Sequence, residues 1–299
     1  MRRTKSTADP LPDPPLSLLI KEEDHQVHSV LHPTDRSEAS RSAFFHALAI
    51  TAHRGADLTL LHSRGRRATD AWGGFPGVRE TLSRWRGWGT TARIEDKIRR
   101  SRIRKYEVED RNPVSASVTH IERNRIDMIV MATEGRSGLA RLVQPSLAEK
   151  LARRSRLFTL FVPHGCRPFV DGESGEMTLR RILLPIDPGT DARPAMIRAL
   201  RSAELVQDPA FEITLMHVGD GDETVVDDLP QLPFCRWSAV RRSGNPAEQI
   251  LSVADEQSAD AIYMSTSWSS PSVARAEGGV TEAVLREAGC PVAVVPVGP

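Results

Sequence analysis

A chain of 299 residues, 39% hydrophobic and 26% charged, has the make-up of an ordinary soluble globular protein and the length for two domains. Its formal net charge of +1 points to no polyanionic partner at the level of the whole chain, so nucleic acid is not expected. No apolar run approaches the roughly 18 residues of a membrane span. The three cysteines, Cys166, Cys235 and Cys290, are too scattered for a disulfide framework or a Cys-x-x-Cys zinc site, which suits a reducing cytoplasm.

Residues 1–26 carry Pro10, Pro12, Pro14 and Pro15 among charges and read as a disordered leader. Val27–Leu31 is a short apolar run that ends at Pro33 and Asp35. Ala39–Ala52 follows with Phe44, Leu48 and Ala52 at helical spacing. Asp57–His62 is apolar enough for a strand buried on both faces. Residues 63–105 then hold Trp72, Trp85 and Trp88 together with the basic run Lys97–Lys105. Basic residues among aromatics can bind single-stranded nucleic acid. However, Val78, Leu82 and Trp85 share one helical face, so packing with the arginines on the wet side is the favoured reading. Asn112-Pro113 is a helix start, because Asn caps free amides and Pro lacks an N–H where none is needed. Asp127–Ala132 reads as a strand, Pro145–Arg154 as a helix after a Gly- and Ser-containing loop, and Leu157–Val162 as a closing strand. A stretch over 166–179 with Pro168, Gly172 and Gly175 reads as a linker.

The rest repeats the first half. Asn112-Pro113, Met131, Glu149 and Pro163 recur as Asn245-Pro246, Met264, Glu282 and Pro296 at one constant interval (245−112 = 264−131 = 282−149 = 296−163 = 133). Upstream, His-Pro-Thr-Asp35 recurs as Leu-Pro-Ile-Asp187 at a longer interval (187−35 = 152), so the first copy carries an insertion within 63–105. The domains are therefore expected at 27–165 and 180–299. In the second, Arg180–Ile186, Phe211–His217, Asp260–Ser265 and Pro291–Pro296 read as strands, and Arg193–Val206, Pro246–Gln257 and Gly279–Glu287 as helices. Alternation of strand and helix demands a parallel sheet covered on both faces, with ligands outside the carboxyl ends of the strands.

Three features meet at such ends: Asp35 after the first strand, Leu-Leu-His62 closing the second, and the loop Ala132-Thr-Glu-Gly135-Arg-Ser-Gly138 running on to Pro145-Ser146. On these residues the chain resembles the universal stress protein family, in particular its tandem members, over nearly all of 27–297. The resemblance implies two Rossmann-like, doubly wound domains of the adenine nucleotide hydrolase type. Each would have a five-stranded parallel sheet, and the two would form an intramolecular pseudo-dimer, packing through Leu157–Val162 and Val292–Val295. Association of two chains and binding of protein partners stay open.

The family's nucleotide-binding members carry Gly-x2-Gly-x9-Gly-Ser/Thr in this loop, a phosphate cradle of close-approaching backbone and helix-start amides. Here the pattern reads Ala132, Gly135, Pro145-Ser146. Proline has no amide to donate, and one lost charge-assisted bond costs about 1.5–3 kcal/mol. Arg136 and Arg141 could compensate. The resemblance implies a site for ATP or another adenine nucleotide at Pro33, Thr34, Asp35, Ser63, Ala132, Thr133, Gly135, Arg136, Ser137, Gly138, Ser146 and Leu147, with Mg²⁺ left open. In the second copy Asp187, Val218, Ser265, Trp268, Gly278 and Gly279 stand at the matching places. An indole where the family has glycine makes this second site degenerate.

Asp35 also reads as a helix N-cap, and the two roles can coexist. His32, Asp35 and His62 could form a metal or acid–base cluster, but the second copy has Leu184 where His32 stands, no His-rich spacing supports a metal, and no catalytic motif occurs. Two readings remain: a regulatory binder of an adenine nucleotide, with hydrolysis at most slow, and a protein-interaction module in which both loops are degenerate.

Overall fold

A computed structural model describes residues 26–64, 74–86, 92–133, 146–219, 229, 232–267 and 279–298. The first half runs β1 (Ser29–Pro33), α1 (Glu38–Arg54), β2 (Asp57–Arg64), α2 (Val78–Arg86), α3 (Ala92–Arg100), β3 (Ile103–Glu109), α4 (Pro113–Arg123), β4 (Met128–Thr133), α5 (Leu147–Ser155) and β5 (Phe158–Pro163). The second runs β6 (Arg181–Ile186), α6 (Arg193–Val206), β7 (Glu212–Val218), β8 (Arg236–Arg242), α7 (Pro246–Glu256), β9 (Ala261–Thr266), α8 (Val280–Glu287) and β10 (Val292–Pro296).

Local chemistry sets many of these boundaries. Ser37 caps α1 through a bond from the Ser40 amide, and Gly55, at φ 74°, closes it with its own amide on the Thr51 carbonyl. Asn112 and Asn245 cap α4 and α7 in the same way, each accepting from two backbone amides ahead of a proline at the first helical turn. These two helices start where the repeated Asn-Pro predicts.

All ten strands form one sheet in the order β3-β2-β1-β4-β5-β10-β9-β6-β7-β8. Every neighbouring pair is parallel except β5 and β10, which meet antiparallel with Phe161 opposite Val292 and Leu160 opposite Ala293. The order reads the same from either edge, so a pseudo-twofold axis passes between β5 and β10. Phe161 and Ala293 are fully buried there, so the seam is core and not a docked surface. Arg153 of α5 ion-pairs with Glu282 of α8, while Arg286 acts electrostatically on Glu149. Glu282 and Arg286 are the repeats of Glu149 and Arg153 (282−149 = 286−153 = 133), so the contact is reciprocal, as an isologous dimer interface requires.

Helices cover both faces. One layer gathers α1 and α6, with Phe44, Leu48, Met196 and Leu200 buried against the sheet. The other gathers α4, α5, α7 and α8 through Val114, Leu151, Ile250 and Leu285. Both layers span the two halves.

The sequence reading places four strands in each half, and the structure adds the edge strands β3 (IRKYEVE) and β8 (RWSAVRR). An edge strand has one pairing partner and half-exposed faces, so its sequence is charged and carries no apolar run. Between β2 and β3 the chain forms α2 and α3. Trp85 of α2 is buried, with Val78 and Leu82 packed on the same core. The basic run over 97–105 is divided between α3 and β3 and does not lie on one helix.

The Gly- and Pro-bearing stretch after β5 is a packed strap. Val170 bridges Met177 in antiparallel sense, and Phe169, Val170, Met177 and Leu179 are buried. The Gly172 carbonyl accepts from Trp85 Nε1 at 3.1 Å and from an Arg84 guanidinium nitrogen at 3.0 Å. Gly175, at φ 74°, lies so close that a Cβ would stand 2.3 Å from the Trp85 ring.

Candidate functional site

Strand order reverses between β1 and β4 in the first half and between β6 and β9 in the second. In open α/β sheets this is where a ligand crevice forms, at the carboxyl ends. In the first half Pro33 closes β1 and the chain turns sharply. The Thr34 amide donates to the Leu61 carbonyl at 2.9 Å, and its hydroxyl meets the Ser40 hydroxyl at 2.8 Å. Asp35 is exposed. Its Oδ1 accepts from the Ser37 amide at 2.9 Å, while Oδ2 has no partner among the described residues. Ser37, and not Asp35, is the N-cap of α1, because its oxygen is the one that reaches the Ser40 amide.

Two histidines support this end of the sheet. His62 Nδ1 donates to the Thr34 carbonyl at 2.8 Å, tying the end of β2 to the turn after β1. His32, fully buried on β1, donates from Nδ1 to the Val130 carbonyl at 2.8 Å, and its buried Nε2 has no partner among the described residues. Burial pushes its pKa down to about 4, and the bond to Val130 and the nearby Asp35 charge only partly offset this.

On the other side of the crevice Ala132 and Thr133 end β4. The Thr133 carbonyl accepts from the His164 amide, and its hydroxyl is buried with no partner among the described residues. Ser146 caps α5 by accepting from the Glu149 amide at 3.1 Å, and Glu149 reaches back to the Ser146 hydroxyl at 3.4 Å. Burial raises the Glu149 pKa, against the opposing Arg286 charge. Leu147 is 57% exposed beside the cap. Ser63, one strand further out, donates to the Asp110 carbonyl at 2.6 Å, so its hydroxyl holds the ends of β2 and β3 together.

In the second half Asp187 uses both oxygens locally, on the Gly189 amide and the Thr190 hydroxyl. Gly279 caps α8 with no side-chain bond. His217 Nδ1 reaches the Ile186 carbonyl at 3.3 Å, repeating the His62 tie. The Ser265 hydroxyl is buried near the end of β9 with no partner among the described residues, and Val218 closes β7.

The Universal stress protein family model matches residues 26–163 and 226–296, more than half of the chain. The chain belongs to the universal stress protein family. A universal stress protein from Archaeoglobus fulgidus DSM 4304 is similar in structure, with a TM-score of 0.59 and 20% identity over 92% of this chain and 98% of that one. A functionally unknown protein from Pseudomonas aeruginosa PAO1 reaches a TM-score of 0.61 at 13% identity, covering 91% of this chain and 94% of that one. At these identities the likeness is one of fold, and it extends through both halves. No curated protein matches.

Within this universal stress protein frame, Pro33, Thr34, Asp35, Ala132 and Thr133 stand at the two strands that flank the switch point. Ser146 and Leu147 open the helix that follows β4, and Ser63 sits one strand away. Gly135, Arg136, Ser137 and Gly138, with Pro145, lie outside the described residues, as do Trp268 and Gly278 of the second loop. The sequence marks His62 as a strand-end residue and a candidate for a metal or acid–base cluster, but not its tie to the Thr34 carbonyl. Its signal was the repetition of Leu-Leu-His62 as Leu-Met-His217. Among the described residues no three His, Cys, Asp or Glu side chains could hold a metal ion, and no helix is long and apolar enough to cross a membrane.

Proposed function

We propose that the first half of this universal stress protein binds ATP or another adenine nucleotide at the β1/β4 switch point, in a cytoplasmic regulatory role, and that the second half does not. The observation that carries this reading is the contrast between Asp35 and Asp187. Asp35 leaves one carboxylate oxygen at the crevice without a partner among the described residues, as a sugar hydroxyl would require, whereas both oxygens of Asp187 are held in its own turn. The buried Thr133 hydroxyl across the crevice, which has no partner among the described residues, and the helix start at Ser146 add donors on the side where phosphates would lie. The glycines at 135 and 138 would let the backbone approach them.

Calorimetric titration with ATP, ADP and AMP tests the reading. Binding should weaken about tenfold or more in Asp35→Ala, where a charge-assisted bond is lost, disappear in Gly138→Trp, and stay unchanged in Asp187→Ala. Absence of binding at millimolar nucleotide, or affinity unmoved by Asp35→Ala and Gly138→Trp, would refute it. One observation favours the protein-interaction reading instead: the Ser146 hydroxyl is already engaged in capping α5 on both sides. That alternative stands if no nucleotide binds.

A further inference from the structure

The geometry points to a second anion site in the first half, a cleft between the start of α4 and one face of α5 that takes a chain of two or more phosphates. We infer it from the cationic lining of the cleft, which adjoins the candidate nucleotide site at Leu147 but uses none of its charged or polar groups. The cleft has a volume of about 570 Å³ and is lined by Arg111 just before α4 and by Leu147, Lys150 and Arg154 along α5. None of the three cations has a carboxylate partner among the described residues. Their neighbour Arg153, by contrast, pairs with Glu282. Lys150 and Arg154 are like charges four residues apart on one helix, a spacing that works against the helix unless something neutralises it. Arg154 at least complements the helix dipole in the last turn; Lys150 has no such compensation. Asn112 also lines the cleft, and because its side-chain oxygen accepts from the Val114 and Ser115 amides, its amide nitrogen is left as a donor.

The second half supplies an internal control. The matching positions are Gly244, Ala283 and Glu287 (244−111 = 283−150 = 287−154 = 133), so three positive charges become one negative charge on the same frame. Asn245 caps α7 there as Asn112 caps α4, so the fold does not need the cations. The positions of Lys150 and Arg154 are about 6 Å apart along the helix axis, at about 1.5 Å per residue. Three cations around a volume of about 570 Å³ exceed what one orthophosphate fills or neutralises, so a chain of phosphates suits the cleft better than a single ion.

Titration of the full chain with inorganic tripolyphosphate, with orthophosphate in parallel, tests the inference. Tripolyphosphate should bind at least about tenfold more tightly than orthophosphate, and less tightly as salt is raised. The variant Arg111→Gly/Lys150→Ala/Arg154→Glu, which copies the second half, should weaken tripolyphosphate roughly ten- to hundredfold. The single exposed change Arg154→Glu should weaken it in the same direction if the triple variant folds poorly. Loss of tripolyphosphate binding with ATP binding retained supports a separate site. Lack of binding at millimolar tripolyphosphate overturns the inference, as does affinity that neither variant changes or that Gly138→Trp alone abolishes. ATP failing to bind while tripolyphosphate binds would refute the nucleotide reading and leave this one standing.

Discussion

The first half keeps one oxygen of Asp35 open, caps α5 with Ser146 and carries a cationic cleft; the second closes Asp187 into a turn, caps α8 with a glycine and has Gly244, Ala283 and Glu287 in place of the cations. Both keep the Asn-Pro helix start and the histidine that ties the second strand to the turn after the first. The shared bonds hold strand ends and helix starts in place. The differences collect where the frame meets solvent at the carboxyl edge. Duplication therefore preserved the scaffold and let the two crevices diverge.

The largest expected difference between the halves is in acid. His32 and His46 are fully buried, and burial lowers the pKa of each from 6.5 to about 4. The matching second-half residues are Leu184 and Arg198 (184−32 = 198−46 = 152). Because the folded values lie below the unfolded one, the unfolded chain binds more protons between pH 6.5 and 4, and stability falls as pH is lowered through that window. The loss approaches about 3 kcal/mol per histidine, and about twice that for the pair. Urea midpoints measured across this range should fall steeply for the native chain and much less for His32→Leu/His46→Leu. An identical pH slope in the two proteins would sink the assignment.

Next in size is Trp85, which has no counterpart in the second half. Trp85→Ala should cost about 3–5 kcal/mol, since a buried indole is lost and the Gly172 carbonyl loses a donor. Denaturant unfolding measures the loss, and earlier proteolysis within the strap over 169–179 would localise it; a change under 1 kcal/mol would show that α2 is only loosely held. The smallest effect expected is at the caps. Ser146→Ala should destabilise by about 1 kcal/mol, visible as a small drop in midpoint, while Ser146→Gly, which gives α5 the glycine cap that α8 has, should cost only about a few tenths of a kcal/mol. Equal losses from Ser146→Ala and Ser146→Gly would contradict the difference between the two caps.

Much of the frame was legible because it rests on local chemistry. Apolar runs such as DMIVMA over 127–132 read as buried strands, α6 spans Arg193–Val206 as its pattern predicts, and Asn112 and Asn245 cap where an Asn-Pro should. The edge strands β3 and β8 escaped, since a strand with one partner need not be apolar. The strap escaped too: Gly172 and Gly175 look like linker residues until the Trp85 ring is placed against them. Asp35 was read as a cap, and only the turn geometry shows that Ser37 fills that role.

The sequence by itself determined that one α/β unit occurs twice, where its helices start, and which two loops differ. Those properties depend on residue type and spacing along a short stretch of chain. The family resemblance already implied that the halves pack through β5 and β10. The tertiary structure alone decided that these strands pair antiparallel in one sheet, that Arg153 and Glu282 meet across the axis, and that Arg111 faces Lys150 and Arg154 over one cleft. Each is a contact between residues far apart in the chain, and no local pattern encodes which distant partner a side chain will meet.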